Sequence, residues 1–227
     1  MKTSILTILA YFIMCSVSYA SDVYITQSGA SLTANINQDG QTNRFGVSGT
    51  VVTLTGDSQV LDIDQIGNTN TIAASLIGAI QEFTLRQAGS SNTSTVSVGS
   101  NSASGDNSII ETITGSSNTT TVNVGNSAST DDADIDLTAT GDSNTITINE
   151  NSTASMVGSD KKITSITAIG SSNTITSTHT GAADQDTTLH HTGASSTFAI
   201  TQGGAYDGTT SITTVGSGHN VTVTMDD

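Results

Sequence analysis

The side chains of this chain that could do chemistry are few, and their spacing limits what they can do. His190 and His191 are adjacent, so on a strand they point to opposite faces and cannot share a metal ion. His179 and His219 have no ligand-spaced partner, and all four histidines read as ordinary surface or turn residues. Asp131, Asp132, Asp134 and Asp136 could offer carboxylate oxygens to calcium. They lack the glycine-turned loop of such a site, however, and read better as a solvated, self-repelling loop. No spacing assembles a nucleophile, a base and oxyanion donors, so no enzyme, no cofactor and no metal centre is expected. What remains is amide and hydroxyl chemistry, repeated at regular intervals, whose natural partner is another copy of the same group.

The elements that position these groups are repeats. Gly115-Ser116-Ser117-Asn118 leads into Thr119-Thr120-Thr121-Val122-Asn123-Val124, and Gly89-Ser90-Ser91-Asn92 leads into Thr93-Ser94-Thr95-Val96-Ser97-Val98. Gly141-Asp142-Ser143-Asn144 and Gly170-Ser171-Ser172-Asn173 open two more units, with weaker copies at Gly40, Gly67, Gly193 and Gly216. Successive turn glycines lie 22 to 29 residues apart. A period in this range signals stacked units, each too small to bury a core alone. Glycine supplies the backbone freedom of a tight turn, and Ser and Asn bond locally to its backbone. The Thr/Val/Ile-rich run that follows reads as strand. Each unit is therefore strand, turn, strand and a longer return loop, and the expected fold is an all-β solenoid of about eight rungs.

Met1 to Ala20 reads as a removable export signal, with Lys2 at the start, an apolar run from Ile5 to Val17, and small residues at Ser18 and Ala20. The single repeat domain then occupies residues 21–227. Cys15 is the only cysteine and falls in the leader, so neither a disulfide nor a thiolate metal site is expected. Without Lys2 the chain carries four Lys and Arg against twenty Asp and Glu, a net charge of −16. A chain this acidic repels nucleic acid and anionic lipid heads, and no run is apolar enough to span a membrane. There is no proline and no tryptophan, and the small content of large apolar residues suits a narrow solenoid interior better than a thick globular core.

Alternation along each strand assigns faces. Leu32, Ala34, Ile36 and Gln38 share one face, as do Leu61, Ile63 and Gln65, then Phe83, Leu85 and Gln87, then Ile135, Leu137 and Ala139. After the turns, Asn118, Thr120, Val122 and Val124 point inward, with Asn92, Ser94, Val96, Val98 and Asn144, Ile146, Ile148 in the same phase. The outward positions before the turns carry Asp62, Asp64, Glu82, Arg86, Asp134 and Asp136. The aspartates among them, Asp62, Asp64, Asp134 and Asp136, are expected to restrain premature strand pairing during export.

Three of the turns read Gln, any, Gly, any, any, Asn: Gln38 to Asn43, Gln65 to Asn70 and Gln87 to Asn92, with Gln27-Ser28-Gly29 a partial copy. This pattern resembles the curlin repeat, the building unit of bacterial curli fibres. The resemblance implies a strand–turn–strand unit that stacks within a subunit and then between subunits as functional amyloid, with buried amides forming ladders at the cross-β spacing of about 4.8 Å. By match to the motif that role falls on Gln38, Asn43, Gln65, Asn70, Gln87 and Asn92, and by position on Asn118, Asn144 and Asn173. From the fourth unit on the Gln position is lost to Ile113, Ala139, Ala168, His191 and Thr214, and several return loops carry inserts. The chain starts its first strand directly after the leader, which resembles a minor or nucleating subunit. The resemblance thus implies a secreted, cell-surface fibre for adhesion and biofilm, whose partners are further copies of itself and a related subunit.

A second feature points elsewhere. Thr93/Thr95, Thr119/Thr121, Thr145/Thr147 and Thr174/Thr176 occupy the same outward place in four consecutive units. Stacked, they make a grid of hydroxyls and methyls about 4.8 Å by about 7 Å, similar to the faces of ice-binding β-solenoids. A monomeric ice-binding solenoid or a surface adhesin is therefore the alternative reading.

Overall fold

A computed structural model describes residues 21–40, 42–46, 51–78, 80–99, 107–125, 133–151, 161–181, 184–204 and 208–226. The expected leader, together with Asp131 and Asp132, lies outside these residues. Every described element is a β-strand, and every strand pairing is parallel.

The strands form two sheets that the chain visits alternately. The second sheet stacks Ser31–Asp39, Ser58–Ile66, Ile80–Ala88, Asn107–Thr114, Ala133–Thr140, Lys161–Ile169, Asp184–Ala194 and Gly208–Ser217 in chain order. The first sheet begins with two interrupted strands. Ser21–Val23 pairs with Thr42–Phe45, and Thr26–Ser28 pairs with Val52–Thr55. Above them run Thr69–Ile77, Ser91–Val98, Ser117–Val124, Ser143–Asn151, Thr174–Thr180, Thr197–Gly203 and Asn220–Asp226. Each circuit of the chain adds one strand to each sheet, so the fold is the expected β-solenoid. One irregularity stands out: Phe45 pairs with Ile72 and Val52 with Ala74, leaving the ladder interrupted opposite Ala73.

The core lies between the sheets. Strand alternation sends every second side chain inward, and burial follows that period, as in the pattern of Ser117–Val124, where Asn118, Thr120, Val122 and Val124 are all sealed. Phe45, Phe83 and Phe198 are fully buried in a slot whose apolar lining is otherwise Ile, Leu, Val and Ala. Burying each such side chain contributes about 1.5–3 kcal/mol. Because the parallel ladders are continuous above that interruption, each inward residue there stacks on its equivalent one rung away. The interior is thus organised as columns, and the chemistry of a column is what the sequence places at one position of the repeat.

Candidate functional site

The turn end of the slot holds two amide columns. Gln38, Gln65 and Gln87 are in register in the second sheet. Gln87 Nε2 donates to Gln65 Oε1 at 3.0 Å, and Gln65 Nε2 donates to Gln38 Oε1 at 2.6 Å. Across the turn, Asn43, Asn70, Asn92, Asn118 and Asn144 are in register in the first sheet. Asn70 Nδ2 donates to Asn92 Oδ1 at 2.8 Å, Asn92 to Asn118 at 2.9 Å and Asn118 to Asn144 at 2.7 Å. The two ladders run in opposite senses: glutamine N–H groups point toward lower rungs and asparagine N–H groups toward higher ones.

Both ladders have definite ends. Ile113 follows Gln87 in register, so Gln87 Oε1 is buried without a partner. Asn43 does not join its column side chain to side chain; its Nδ2 donates to the carbonyls of Gln38 at 2.9 Å and Ile66 at 2.8 Å. At the top, Asn173 Oδ1 accepts from the backbone N–H of Asn144 at 3.0 Å, while its Nδ2 donates to the Gly170 carbonyl at 2.8 Å.

The turn glycines also form a column, and crowding between rungs explains several of them. Gly40, Gly67, Gly89 and Gly115 do not use the left-handed backbone region. A Cβ on Gly67, Gly89 or Gly115 would instead sit 2.1 Å from the carbonyl oxygen of the glycine one rung below. Gly170 combines both needs, with φ of 134° and a Cβ site 1.7 Å from the Gly141 carbonyl. Gly141, Gly193 and Gly216 stack on in the same way.

The Thr pairs lie on the outer face of the first sheet. Thr93, Thr119, Thr145 and Thr174 form one column, which also takes in Thr71 and Thr197. Thr95, Thr121, Thr147 and Thr176 form the next, flanked by Ala73 and Ala199.

A third cluster escaped the sequence reading. His179 and His191 are not surface residues, being 0% and 2% exposed. Glu150 Oε2 lies 2.8 Å from His179 Nδ1, and Ser177 Oγ and Thr187 Oγ1 lie 2.7 and 2.9 Å from His179 Nε2. Thr164 donates to Glu150 Oε1 at 2.6 Å. Ser177, His179 and Glu150 have the spacing of a nucleophile, a base and its orienting carboxylate. All three are sealed, however, so a substrate could reach Ser177 Oγ only if strands parted. What the arrangement does is satisfy polar groups between the sheets. Lys162 is also fully buried, with no hydrogen-bond partner for Nζ. Burial pushes its pKa down, against the opposing pull of Glu150. Parity was the available signal: Glu150 follows Asn144, Ile146 and Ile148 on the inward face, and His179 follows Ile175 and Ser177.

His191 continues the Gln column and meets the end of the Asn column. Its Nε2 is 3.0 Å from Asn173 Nδ2 and 3.0 Å from Ser196 Oγ, and its ring packs on Phe198 and His219. Burial lowers its pKa, the Gly170 carbonyl opposes that shift, and His219 adds to it.

Glu111 is a carboxyl in an otherwise apolar column, between Leu85 and Leu137. Burial raises its pKa to about 8, offset in part by the Ser94 hydroxyl. At the return end of the slot, Gln59 and Gln81 stack in a further column that the motif did not reveal; Gln59 has no partner for either amide atom.

On the outer face of the second sheet, acids never stack on acids. Asp134 pairs with Ser108 and Ile163, and Asp136 with Ile110 and Ser165. Asp64 is bridged by Arg86, with contacts of 2.8 and 3.1 Å. Among the described residues no group of three or more His, Cys, Asp or Glu is placed to hold a metal ion, and no helix is long and apolar enough to cross a membrane.

Comparison with protein-family models, with curated proteins and with solved structures finds no match.

The last rung differs from all others in one respect. Val221, Val223 and Met225 occupy inward columns yet are 45%, 42% and 53% exposed, because among the described residues nothing covers Asn220–Asp226 from above.

Proposed function

We propose that this protein is a secreted structural subunit that polymerises end to end into curli-like cross-β fibres at the cell surface, as a minor or nucleating component serving adhesion and matrix formation. The observation that carries the reading is the final described rung, where inward Val221, Val223 and Met225 and the strand edges are uncovered among the described residues. A parallel solenoid extends by adding an identical rung, and an open heterologous contact of this kind generates a filament. Continuing the columns places Ser31–Asp39 of an incoming copy on Gly208–Ser217. Its Ser21–Val23 and Thr26–Ser28 then lie on Asn220–Asp226. Ile36 would follow Ile212 and Val23 would follow Val221, so like meets like at these two positions, while Gln27 would fall on Met225. The amide ladders support the reading in the lower rungs, where stacked side-chain amides act as they do along cross-β fibres. Among the described residues the glutamine ladder ends at Gln87 and the asparagine ladder at Asn144, which favours a minor over a bulk subunit.

The test is dilution of denatured protein into buffer, with dye-monitored assembly and fibre diffraction of the product. A lag, acceleration by seeds and a meridional reflection near about 4.8 Å are expected. A β-rich chain that stays monomeric overturns the reading. Val223→Asp, which charges the uncovered rung, should stop elongation of seeds while leaving the β-sheet spectrum of the subunit unchanged.

A further inference from the structure

The two outer faces of the slab differ in charge. The second sheet displays Asp62, Asp64, Glu82, Arg86, Asp134 and Asp136. Its exposed Ile110 and Ile163 each neighbour one of these acids, Asp136 and Asp134. On the first sheet, Asp22 and Arg44 stand at the lower end. From Thr69 upward the outward columns through Thr71, Ala73 and Ser75 are uncharged as far as Asn220, Thr222 and Thr224. The third of these was not foreseen from the Thr-x-Thr pattern. It runs through Ser97, Asn123, Asn149, Thr178 and Thr201, and Asn149 donates to Asn123 at 2.9 Å. In a chain with twenty acidic residues, seven successive strands with no charge across these three columns form a segregated surface.

We propose that this face is a pairing surface for the same face of a second copy of the chain. Identical acidic chains repel through their charged faces, and the uncharged face is the side on which two copies can approach. Its chemistry fits a dry contact between like sheets: short Thr, Ser and Asn side chains at a fixed repeat interdigitate, as sheets of identical strands do in cross-β assemblies. Its size also fits. Seven strands about 4.8 Å apart, each contributing the roughly five residues these columns span at about 3.3 Å, present about 550 Å² per copy, or about 1,100 Å² over the pair, which clears the lower bound of a specific interface. Pairing through this face is independent of end-to-end stacking, so it joins two chains before any fibre grows. Because both partners are acidic overall, added salt strengthens it.

The experiment is sedimentation velocity and small-angle scattering on the purified protein before seeding, at low and moderate salt. Wild type should sediment as a dimer with roughly twice the slab thickness of one chain, more so at moderate salt. Thr121→Asp with Thr147→Asp should return it to monomers, whereas Thr138→Asp with Thr167→Asp on the opposite face should not. Thr121→Tyr with Thr147→Tyr blocks close approach with strand-compatible bulk and no charge, so it must also give monomers. A monomeric wild type overturns the proposal, as does equal loss of dimer from variants of both faces. A wild type that stays monomeric yet partitions into growing ice overturns it too, and assigns the hydroxyl lattice to ice.

Discussion

Ser94 in the first sheet donates through Oγ to Glu111 Oε1 in the second, across 2.9 Å of sealed interior. The bond satisfies one carboxyl oxygen and leaves Oε2 without a partner, so the group is held protonated by its surroundings. Its pKa rises from 4.5 to about 8 on folding. Below pH 4.5 it is protonated folded and unfolded, and folding carries no penalty. Between 4.5 and about 8 the unfolded chain ionises and the folded chain does not, so stability falls with rising pH, by about 3 kcal/mol at pH 7. Above about 8 the loss levels off. Glu111→Gln should therefore raise the denaturation midpoint at pH 8 and change it little at pH 4.5. Equal shifts at the two pH values would show that Glu111 is not a buried neutral acid.

Gln65 is the middle of its ladder, donating to Gln38 and accepting from Gln87. Gln65→Leu leaves Gln87 Nε2 without its side-chain acceptor, at a cost of about 1–3 kcal/mol for each buried polar group stranded. Gln65→Leu with Gln87→Leu should slow seeded growth far more than Thr119→Ser with Thr121→Ser on the outer face. Growth rates measured from identical seeds decide the point, and matching rates would remove the ladder from the assembly argument.

The glycine column predicts a contrast between two chemically identical substitutions. A Cβ on Gly40 would meet only Asn43 Oδ1, at 3.4 Å. On Gly89 it would meet the Gly67 carbonyl at 2.1 Å and two asparagine side chains at 3.0 Å. Gly40→Ala should cost less than about 1 kcal/mol, and Gly89→Ala about 3 kcal/mol or more, read from urea unfolding. Similar costs would mean that rungs can move apart at the turn.

The Glu150–His179 pair offers a cycle. Breaking a buried pair from one side strands the other group and costs about 3–5 kcal/mol. Their own column already holds Val98 and Val124 in lower rungs. Glu150→Val with His179→Val should therefore be more stable than His179→Val alone, with a coupling of about 1–3 kcal/mol. Additive losses would show that the two side chains do not act as a unit.

Much of this molecule follows from the order of its residues. Period-two alternation assigned Leu61, Ile63 and Gln65, or Val122 and Val124, to the interior, because a strand has only two faces and one of them must be buried. The recurring glycine turn set the register, since units that turn at the same place align residue for residue. The amide columns and the Thr columns followed from that alignment alone. His179 was misread because its type outweighed its parity: it stands two residues past Ser177 on the inward face, and parity decides burial in a strand. The tertiary structure alone decided what crosses the slot. Ser94 meets Glu111, Glu150 meets Thr164, and His191 meets Asn173 only once the winding and the lengths of the return loops bring opposite sheets into contact. Neighbours along a column are a consequence of repetition, which is local and legible. Neighbours across the core depend on how far each circuit advances, and no single repeat encodes that.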